Sequence, residues 1–199
     1  MITPPFQLPD LILASASPRR RDLLNKVGLT FSVVPSEIDE ATVSTESPAG
    51  YVQKLSEAKA ADVAQRYPKS WILGADTIVF INGNILGKPT NSDEALRMLR
   101  QLSGATHKVL TGYCLMSRAH KRSFSETIET EVEFKDLAER EIEWYIETGE
   151  PFDKAGGYAI QGTGTFLVKR ISGSFTNVVG LPLCEVIEAF NKALVICIA

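Results

Sequence analysis

The stretch LILASASPRRRDLL, residues 11–24, predicts the start of an α/β fold. Residues 11–14 are apolar enough for a buried strand, and a short polar turn leads into a helix that begins at Pro18. Ser17 is a favourable N-cap because its hydroxyl can accept from an unpaired backbone N–H. Proline suits the first helical position because it lacks such an N–H. We therefore expect a strand, a turn and a helix, in that order.

Three arginines, Arg19, Arg20 and Arg21, follow at once. A helix N-terminus is partly positive, so each exposed cation there is unfavourable by about 0.3–1 kcal/mol. The conflict disappears if a polyphosphate binds, because free N–H groups and guanidinium groups both bind anions, and Ser15 could add a hydroxyl donor. Successive helix positions lie about 100° apart, so all three arginines cannot contact one phosphate, and we expect Arg21 at the surface. A solvated surface cluster is the alternative interpretation.

A second unusual stretch is WILGADTIVFI, residues 71–81, an apolar strand interrupted by Gly74 and Asp76. The following Asn82-Gly83 predicts a hairpin turn. A buried carboxylate is costly without partners, so Asp76 should meet a metal ion, a lysine or hydrogen-bond donors. The alternative is an aspartate that only holds the nearby hairpin.

The loop PSEIDEATVSTES, residues 35–47, is polar and acidic. Glu37, Asp39 and Glu40 could share a divalent ion with Asp76, because Mg²⁺ binds through a few carboxylates together with phosphate oxygens. Acidic residues in a loop are more often simply solvated, and that alternative stays open.

Two lysines and a glutamine complete the candidate set. Lys59 lies on a long helix that opens at Ser47-Pro48 and runs to about Arg66, and Lys88 lies in GKP after the hairpin. Either lysine could reach a phosphate, although each alone is more typical of a surface. Gln161 offers a donor and an acceptor edge suited to reading a base, or it satisfies local backbone groups.

The rest of the chain continues the alternation of helices and strands. We expect a helix over residues 93–102 capped by Ser92, two strand-like runs joined by the basic turn RAHKR, and a helix ended by Gly149. The glycine-rich residues 153–173 favour short strands and tight turns, and a last helix is expected over about 181–192. The sequence predicts one α/β domain, residues 1–199, with a mixed extended sheet flanked by helices and two lobes around a cleft.

Composition excludes several classes of protein. The net charge of −3 and the pI near 5.5 disfavour nucleic-acid and anionic-membrane binding. Three widely spaced cysteines fit reduced thiols, no apolar stretch approaches about 20 residues, and the first residues lack signal-peptide features. We therefore expect a cytoplasmic protein without a membrane partner. The apolar end ALVICIA, residues 193–199, could pack on the core or on a partner.

Common catalytic signatures are absent from the sequence. It contains no GxxxxGK[ST] phosphate loop, no GxGxxG, no HExxH and no GxSxG. With only two histidines, the available groups are carboxylates, arginines, lysines and backbone amides. Such a set suits phosphoryl chemistry, in which positioning and charge neutralisation supply most of the catalysis.

Eight motifs occur in a fixed order: SASPRR, IDE, YVxxLxxxKA, LGADTIV, GKP, LSGxTHxVxTG, GEPxDKAGxYxIQG and NVVGLPL. Over about residues 11–190 they resemble the Maf family of nucleoside triphosphate pyrophosphatases. The resemblance implies a fold related to the inosine triphosphate pyrophosphatases, with a nucleotide cleft between two lobes. It also implies hydrolysis of a nucleoside triphosphate to the monophosphate and pyrophosphate, with Mg²⁺ or Mn²⁺, in a possible homodimer. Members of the family have been linked to arrest of septum formation and cell division.

The resemblance also implies roles for individual residues. Asp76 would accept the proton of the attacking water and, with Glu40, bind the metal ion. The residues that would contact phosphate are Ser15, Arg20, Lys59 and Lys88.

Three positions divide the family by substrate. Arg19, Thr77 and Gln161 match the branch that acts on dTTP and UTP. Modified pyrimidine nucleotides are further candidate substrates. The 7-methyl-GTP branch has SPWR, SDQ and SEG at these places and is the alternative. A nucleotide-binding regulator of septum formation without turnover is a second alternative, and a nucleic-acid module is a third.

Overall fold

The computed structural model describes residues 4–43 and 47–198, and for residues 195–198 it describes the backbone alone. The expected packing of the apolar end therefore lies largely outside the described residues, as does the thiol of Cys197. The strands are β1 Leu11–Leu13, β2 Ser32–Val33, β3 Trp71–Ile81, β4 Asn84–Leu86, β5 Thr106–Ser117, β6 Arg122–Phe134 and β7 Val168–Ser172. The helices are α1 Pro18–Lys26, α2 Pro48–Arg66, α3 Ser92–Leu102, α4 Glu139–Glu147, α5 Phe175–Val179 and α6 Leu183–Ile198. Short 3₁₀ helices cover Glu40–Thr42, Glu150–Asp153, Ala155–Gly157 and Gly162–Leu167.

The strands form one mixed sheet, which confirms the predicted fold class. Its order is β2-β1-β3-β5-β6-β7, and β4 pairs with β3. Strand β1 runs parallel to β2 and to β3, whereas β4 is antiparallel to β3 and β7 is antiparallel to β6. The turn between β3 and β4 is Asn82-Gly83, with φ of 51° and 80°, and this left-handed pair is typical of a two-residue hairpin.

The chain forms two compact units. Unit 1 draws on residues within 1–76, 111–128 and 180–199, and unit 2 consists of residues 77–110 and 129–179. In unit 1, apolar side chains of α2 pack against β1, β3 and β5, with Ala60, Ile72 and Cys114 almost fully buried. In unit 2, Phe134 and Tyr145 belong to a larger core that is rich in aromatic and leucine side chains.

Helix caps differ from the expectation at two places. Within the described part of the chain, the Ser17 side chain makes no capping hydrogen bond. The backbone N–H of Ser17 donates to Ser15 Oγ at 3.3 Å. Helix α3 is capped by Asn91 and not by Ser92, because Asn91 Oδ1 accepts from the N–H of Glu94 at 2.9 Å. The helix therefore begins one residue earlier than its sequence predicts.

The glycine-rich residues 153–173 contain 3₁₀ turns and a single strand, β7, where short strands were expected. Three of its amides, those of Ala159, Thr163 and Gly164, donate to side chains and so take no part in strand pairing. Helix α5 was not predicted, and α6 begins at Leu183 because the carbonyl of Pro182 accepts the first helical hydrogen bond, from Val186. Across the described residues, no helix is both long and apolar enough to cross a bilayer.

Candidate active site

Glycines bring helix α2 against the sheet in unit 1. A Cβ atom on Gly74 of β3 would lie 2.3 Å from the carbonyl oxygen of Ser56. A Cβ atom on Gly112 of β5 would lie 2.4 Å from the carbonyl oxygen of Val52. Only glycine permits backbone to approach this closely. The interruption of the apolar strand at Gly74 is therefore explained by the helix that lies on it.

This close approach puts Lys59 of α2 between two carboxylates. Lys59 Nζ lies 2.6 Å from Asp76 Oδ1 and 2.7 Å from Glu40 Oε1. The side chains of Lys59 and Asp76 are each 12% exposed, whereas that of Glu40 is 55% exposed. The carboxylate of Asp76 thus finds the partner that its burial requires.

Arg20 holds the end of β1 to the middle of β3. Its Nη1 donates to Ser15 Oγ at 3.0 Å and to the carbonyl of Ala75 at 2.8 Å. Its Nε donates to the carbonyl of Gly180 at 2.8 Å. Burial lowers the pKa of the Arg20 guanidinium, and the negative charge of Asp76 opposes that shift. An arginine pKa starts so high that the group remains a cation in neutral solution.

The other two arginines differ from Arg20 in exposure. Arg21 is exposed, as its position on the helix predicts, and Arg19 is half-buried. The first turn of α1 therefore has one guanidinium inside the unit and two nearer to solvent.

Only one of the three acidic loop residues reaches the cluster. Glu37 pairs with Arg66 at 3.3 Å, and Asp39 accepts from the N–H of Ala41 at 3.1 Å to cap a 3₁₀ turn. These local partners hold both side chains away from Asp76, so sharing of an ion by all four acids is not supported. Of the three loop acids, Glu40 is the one that contacts Lys59.

Tyr51 of α2, which the sequence did not mark as a candidate site residue, is a further group near the cluster. Burial raises the pKa of the Tyr51 hydroxyl, and the charges of Asp76 and Glu40 raise it further. Its hydroxyl therefore lies within the field of the carboxylates. The signal that could have identified it is its position on α2, eight residues before Lys59 and so about 80° from it around the helix axis.

The donor set fits a divalent cation. Glu40 and Asp76 both direct an oxygen at the Lys59 ammonium, so a positive charge already sits between the two carboxylates. Among the described residues no group of three or more histidine, cysteine, aspartate or glutamate side chains could hold a metal ion. Mg²⁺ commonly binds through one or two carboxylates together with phosphate oxygens of the substrate, and two carboxylates are what this site provides.

The remaining candidates belong to unit 2. Thr77, which follows Asp76 directly, and Gln161 are half-buried, and Lys88 is exposed. The loop that carries Lys88 is attached to the glycine-rich segment, because the amide of Gly156 donates to the carbonyl of Gly87 at 2.9 Å. Of the predicted site residues, unit 1 therefore contains Ser15, Arg19, Arg20, Glu40, Lys59 and Asp76, and unit 2 contains Thr77, Lys88 and Gln161.

The glycine-rich segment contains a carboxylate that the sequence did not single out. Glu150 Oε2 accepts from the N–H of Thr163 at 3.0 Å, and Oε1 accepts from the N–H of Gly164 at 3.0 Å. Tyr145 donates its hydroxyl proton to Oε1 at 3.1 Å. In the sequence, a glutamate in GEP after a helix is typical of a solvated helix end. The signal for a tight contact is the pair Gly162 and Gly164, 12 and 14 residues further along the chain.

Comparison with known proteins gives a consistent result. The family described as Maf-like protein matches residues 10–193. A protein of Syntrophus aciditrophicus named dTTP/UTP pyrophosphatase is 50% identical over 181 residues, which cover 91% of this chain and 88% of that one. A protein of the same name from Halalkalibacterium halodurans is 51% identical, with coverage of 91% and 94%.

The solved structure of the Staphylococcus aureus Ham1 protein aligns with 80% of each chain at a TM-score of 0.47 and 12% identity. That similarity is too low to support a conclusion about the site. The match to the family model and the identity to its named relatives each extend over nine-tenths of the sequence. The chain therefore belongs to the Maf-like protein family.

Proposed function

We propose that this chain is a nucleoside triphosphate pyrophosphatase that hydrolyses dTTP and UTP to the monophosphate and pyrophosphate. The observation that carries the proposal is the largely buried contact of Lys59 Nζ with Asp76 Oδ1 at 2.6 Å, beside the Arg20 guanidinium and the Ser15 hydroxyl. Relatives about 50% identical over nine-tenths of the chain are named for this activity, which supports the same assignment.

The reaction needs an activated water and neutralisation of a highly charged substrate. The water oxygen attacks the α-phosphorus, the bond from that phosphorus to the oxygen bridging the β-phosphorus breaks, and pyrophosphate leaves with the bonding electrons. We assign Asp76 as the acceptor of the water proton, a role that places a base within hydrogen-bond reach of the nucleophile. Its contact with Lys59 Nζ at 2.6 Å orients the carboxylate.

Positive charge and hydroxyl donors would bind the phosphates. We assign this role to Ser15, Arg20, Lys59 and Lys88. The backbone amides at the start of α1 would add to this attraction, since a helix N-terminus attracts anions. Arg20 also fixes Ser15 and the strand beside Asp76, so that one buried cation would both attract phosphate and hold these groups in place.

A divalent ion, Mg²⁺ or Mn²⁺, would be held by Glu40 and Asp76 together with substrate phosphate oxygens. When bound, it supplies Lewis-acid polarisation of the phosphate and neutralises developing charge. The Lys59 ammonium, now between the two carboxylates, would then turn towards the phosphates.

Arg19, Thr77 and Gln161 would select the pyrimidine base. They match the residues that the resemblance assigns to the dTTP and UTP branch, and the half-buried amide of Gln161 presents both a donor and an acceptor edge. Specificity for 7-methyl-GTP and a regulatory role without turnover remain the alternatives that the assay below tests.

We also propose that the chain acts as a single domain, since one family match spans residues 10–193. A cytoplasmic location is supported by the free thiols of Cys114 and Cys184. The nucleotide cleft and the homodimer, both expected from the resemblance, stay predictions, and the second is tested by sedimentation.

The test measures pyrophosphate release from dTTP, UTP, dCTP, ATP and 7-methyl-GTP, each with Mg²⁺ or Mn²⁺, for wild type and Asp76→Asn. We expect release from dTTP and UTP that falls by at least about a hundredfold in Asp76→Asn. Asp93→Asn, on the exposed first turn of α3, is the matched control and should keep full activity. Absence of release by folded wild type would favour the regulator, and preference for 7-methyl-GTP would contradict the assigned branch.

A further inference from the structure

The segment that carries Gln161 is held from both sides by one glutamate and one tyrosine, all within unit 2. The amide of Ala159, two residues before Gln161, donates to Tyr145 Oη at 3.3 Å. The amides of Thr163 and Gly164, two and three residues after it, donate to the two oxygens of Glu150 at 3.0 Å each. These contacts bracket Gln161.

Gln161 occupies the N-cap position of the 3₁₀ helix Gly162–Leu167. An N-cap side chain ordinarily accepts from the amides two or three positions further on. Here those amides belong to Thr163 and Gly164, and both donate to Glu150 instead. Within the described residues, the Gln161 side chain makes no capping hydrogen bond. Glu150 has taken over the capping role and leaves the amide group of Gln161 available to a ligand.

The contact also accounts for two glycines. A Cβ atom on Gly162, whose φ is +73°, would lie 2.9 Å from Glu150 Oε2. A Cβ atom on Gly164 would lie 2.7 Å from Tyr145 Oη and 2.5 Å from the carbonyl oxygen of Ala159. Glycine therefore stands at the two positions of Gln-Gly-Thr-Gly where a side chain would collide with Glu150 or Tyr145.

The charge of Glu150 suits this role. Its burial alone would raise the pKa of the carboxyl, but hydrogen bonds from Gly164, Thr163 and Tyr145, with the Lys154 charge nearby, hold the pKa below its usual range. The carboxylate is therefore ionised in neutral solution, and it accepts at both oxygens. Tyr145, by contrast, is fully buried and donates to it as a neutral phenol.

We propose that Glu150, supported by Tyr145, is a positioning residue for base selection that acts through Gln161. The inference rests on the proposed function, because it assumes that Gln161 contacts the base. Loss of the Glu150 carboxylate should return the Thr163 and Gly164 amides to Gln161, whose side chain would then cap its own helix. The enzyme would lose discrimination between bases while keeping the groups that bind phosphate.

The test compares wild type, Glu150→Gln and Gln161→Ala by kcat and KM for dTTP, UTP, dCTP and ATP. In Glu150→Gln, we expect the ratio of kcat/KM for dTTP to that for dCTP to fall about tenfold, the effect of one well-placed hydrogen bond. The change should appear in KM for dTTP and UTP, with kcat nearly unchanged. A purely structural defect would lower activity on every substrate in proportion and leave the ratio unchanged.

The double variant Glu150→Gln/Gln161→Ala shows whether Glu150 acts through Gln161. We expect its selectivity to equal that of Gln161→Ala alone, because the second change removes the group that the first one positions. Additive losses in the double variant would overturn the inference. Glu147→Gln, an exposed glutamate on the last turn of α4, is the matched control and should keep the wild-type ratio.

Tyr145→Phe covers the case in which Glu150→Gln does not fold. It removes only the hydroxyl that donates to Glu150 and accepts from Ala159. We expect the same loss of selectivity at smaller size, and an unchanged ratio in a folded Tyr145→Phe would contradict the inference. If wild type releases no pyrophosphate, the proposed function fails first. If wild type is active and Gln161→Ala alone alters selectivity, the failure belongs to Glu150.

Discussion

Lys59 in unit 1 and His107 in unit 2 are both largely buried bases, and the two units hold them in opposite ways. Lys59 is surrounded by opposite charge, with Asp76 and Glu40 at 2.6 and 2.7 Å. His107 Nε2 lies 2.7 Å from the hydroxyl of Tyr158, and burial lowers the pKa of His107 to about 4. The histidine is therefore neutral under ordinary conditions.

The same contrast extends to the acids of the two units. In unit 1 the Asp76 carboxylate accepts a hydrogen bond from an ammonium group. In unit 2 the Glu150 carboxylate accepts hydrogen bonds from backbone amides and a phenol. Burial also raises the pKa of Tyr158, which keeps its hydroxyl protonated. The two carboxylates therefore differ in their partners, which are an ammonium in unit 1 and neutral donors in unit 2.

The largest predicted effect on the stability of unit 1 comes from Gly74→Ala. The added Cβ atom would meet the carbonyl oxygen of Ser56 at 2.3 Å, and neither backbone can move without displacing α2. We expect the free energy of unfolding to fall by about 4 kcal/mol, above the common range for overpacking because both clashing groups are backbone. Urea denaturation measures the loss.

The matched control for Gly74→Ala is Gly87→Ala. A Cβ atom on Gly87 has no heavy atom within 4 Å, so its unfolding midpoint should stay close to that of wild type. Equal stability of the two variants would show that α2 does not rest on β3 as described.

The neutral state of His107 predicts a dependence of stability on pH. Its folded pKa, about 4, is lower than the unfolded value of 6.5. Protons therefore bind the unfolded chain first as the pH falls, and stability present above pH 6.5 is lost down to about pH 4. The loss from this group is about 3 kcal/mol.

Thermal or urea unfolding of wild type and His107→Gln at pH 7 and pH 4.5 isolates that contribution. We expect the difference between the two pH values to shrink in His107→Gln. His120→Gln retains His107 and should behave as wild type does. An unchanged pH dependence in His107→Gln would mean that the histidine is already charged in the folded protein.

Charge neutralisation in unit 1 is tested by Lys59→Met. The variant removes the cation shared by Asp76 and Glu40 and keeps most of the apolar stem of the side chain. We expect kcat/KM for dTTP to fall about a hundredfold, typical of losing one preorganised electrostatic group. Lys54→Met, exposed on the same helix, is the control. Comparable activity of both variants would remove Lys59 from the proposed site.

The smallest expected effect in this series comes from Arg20→Lys, which preserves the charge and loses the fork of donors. A lysine cannot reach Ser15 Oγ and the carbonyls of Ala75 and Gly180 together. We expect a loss of about 2 kcal/mol in the free energy of unfolding. Arg21→Lys should be neutral because Arg21 is exposed. If both variants are equally stable, Arg20 does not fix the strand ends.

The sequence pointed to the contacts of Asp76 and Arg20 in unit 1 better than to those of Glu150 in unit 2, for a physical reason. Asp76 and Arg20 are conspicuous because each stands where its own element disfavours it, in an apolar strand and at a helix N-terminus. The contact of Lys59 with Asp76 needed the Gly74 approach, which is a tertiary feature. Glu150 conflicts with nothing local, and the two amides that it binds lie 13 and 14 residues away, so no local pattern marked it.

The fold shows the same division. The bounds of α2 and β3 agree with those predicted from their apolar periodicity and their flanking signals. The glycine-rich residues 153–173 lack such periodicity, and their 3₁₀ turns depend on acceptors supplied by another segment. Local patterns therefore predict elements that satisfy their own hydrogen bonds, and they fail where a distant side chain supplies the acceptor.

The close packing of α2 on Gly74 and Gly112 should affect local unfolding of unit 1. The helix touches two strands through backbone atoms, and its buried face includes Val52, Leu55 and Ala60, all with no exposed surface. Its central amides should therefore exchange with deuterium only when the whole unit unfolds, because no smaller opening frees them. Lys59 would then lie on a slowly exchanging segment, and fraying at the ends of α2 would not separate its ammonium from Asp76.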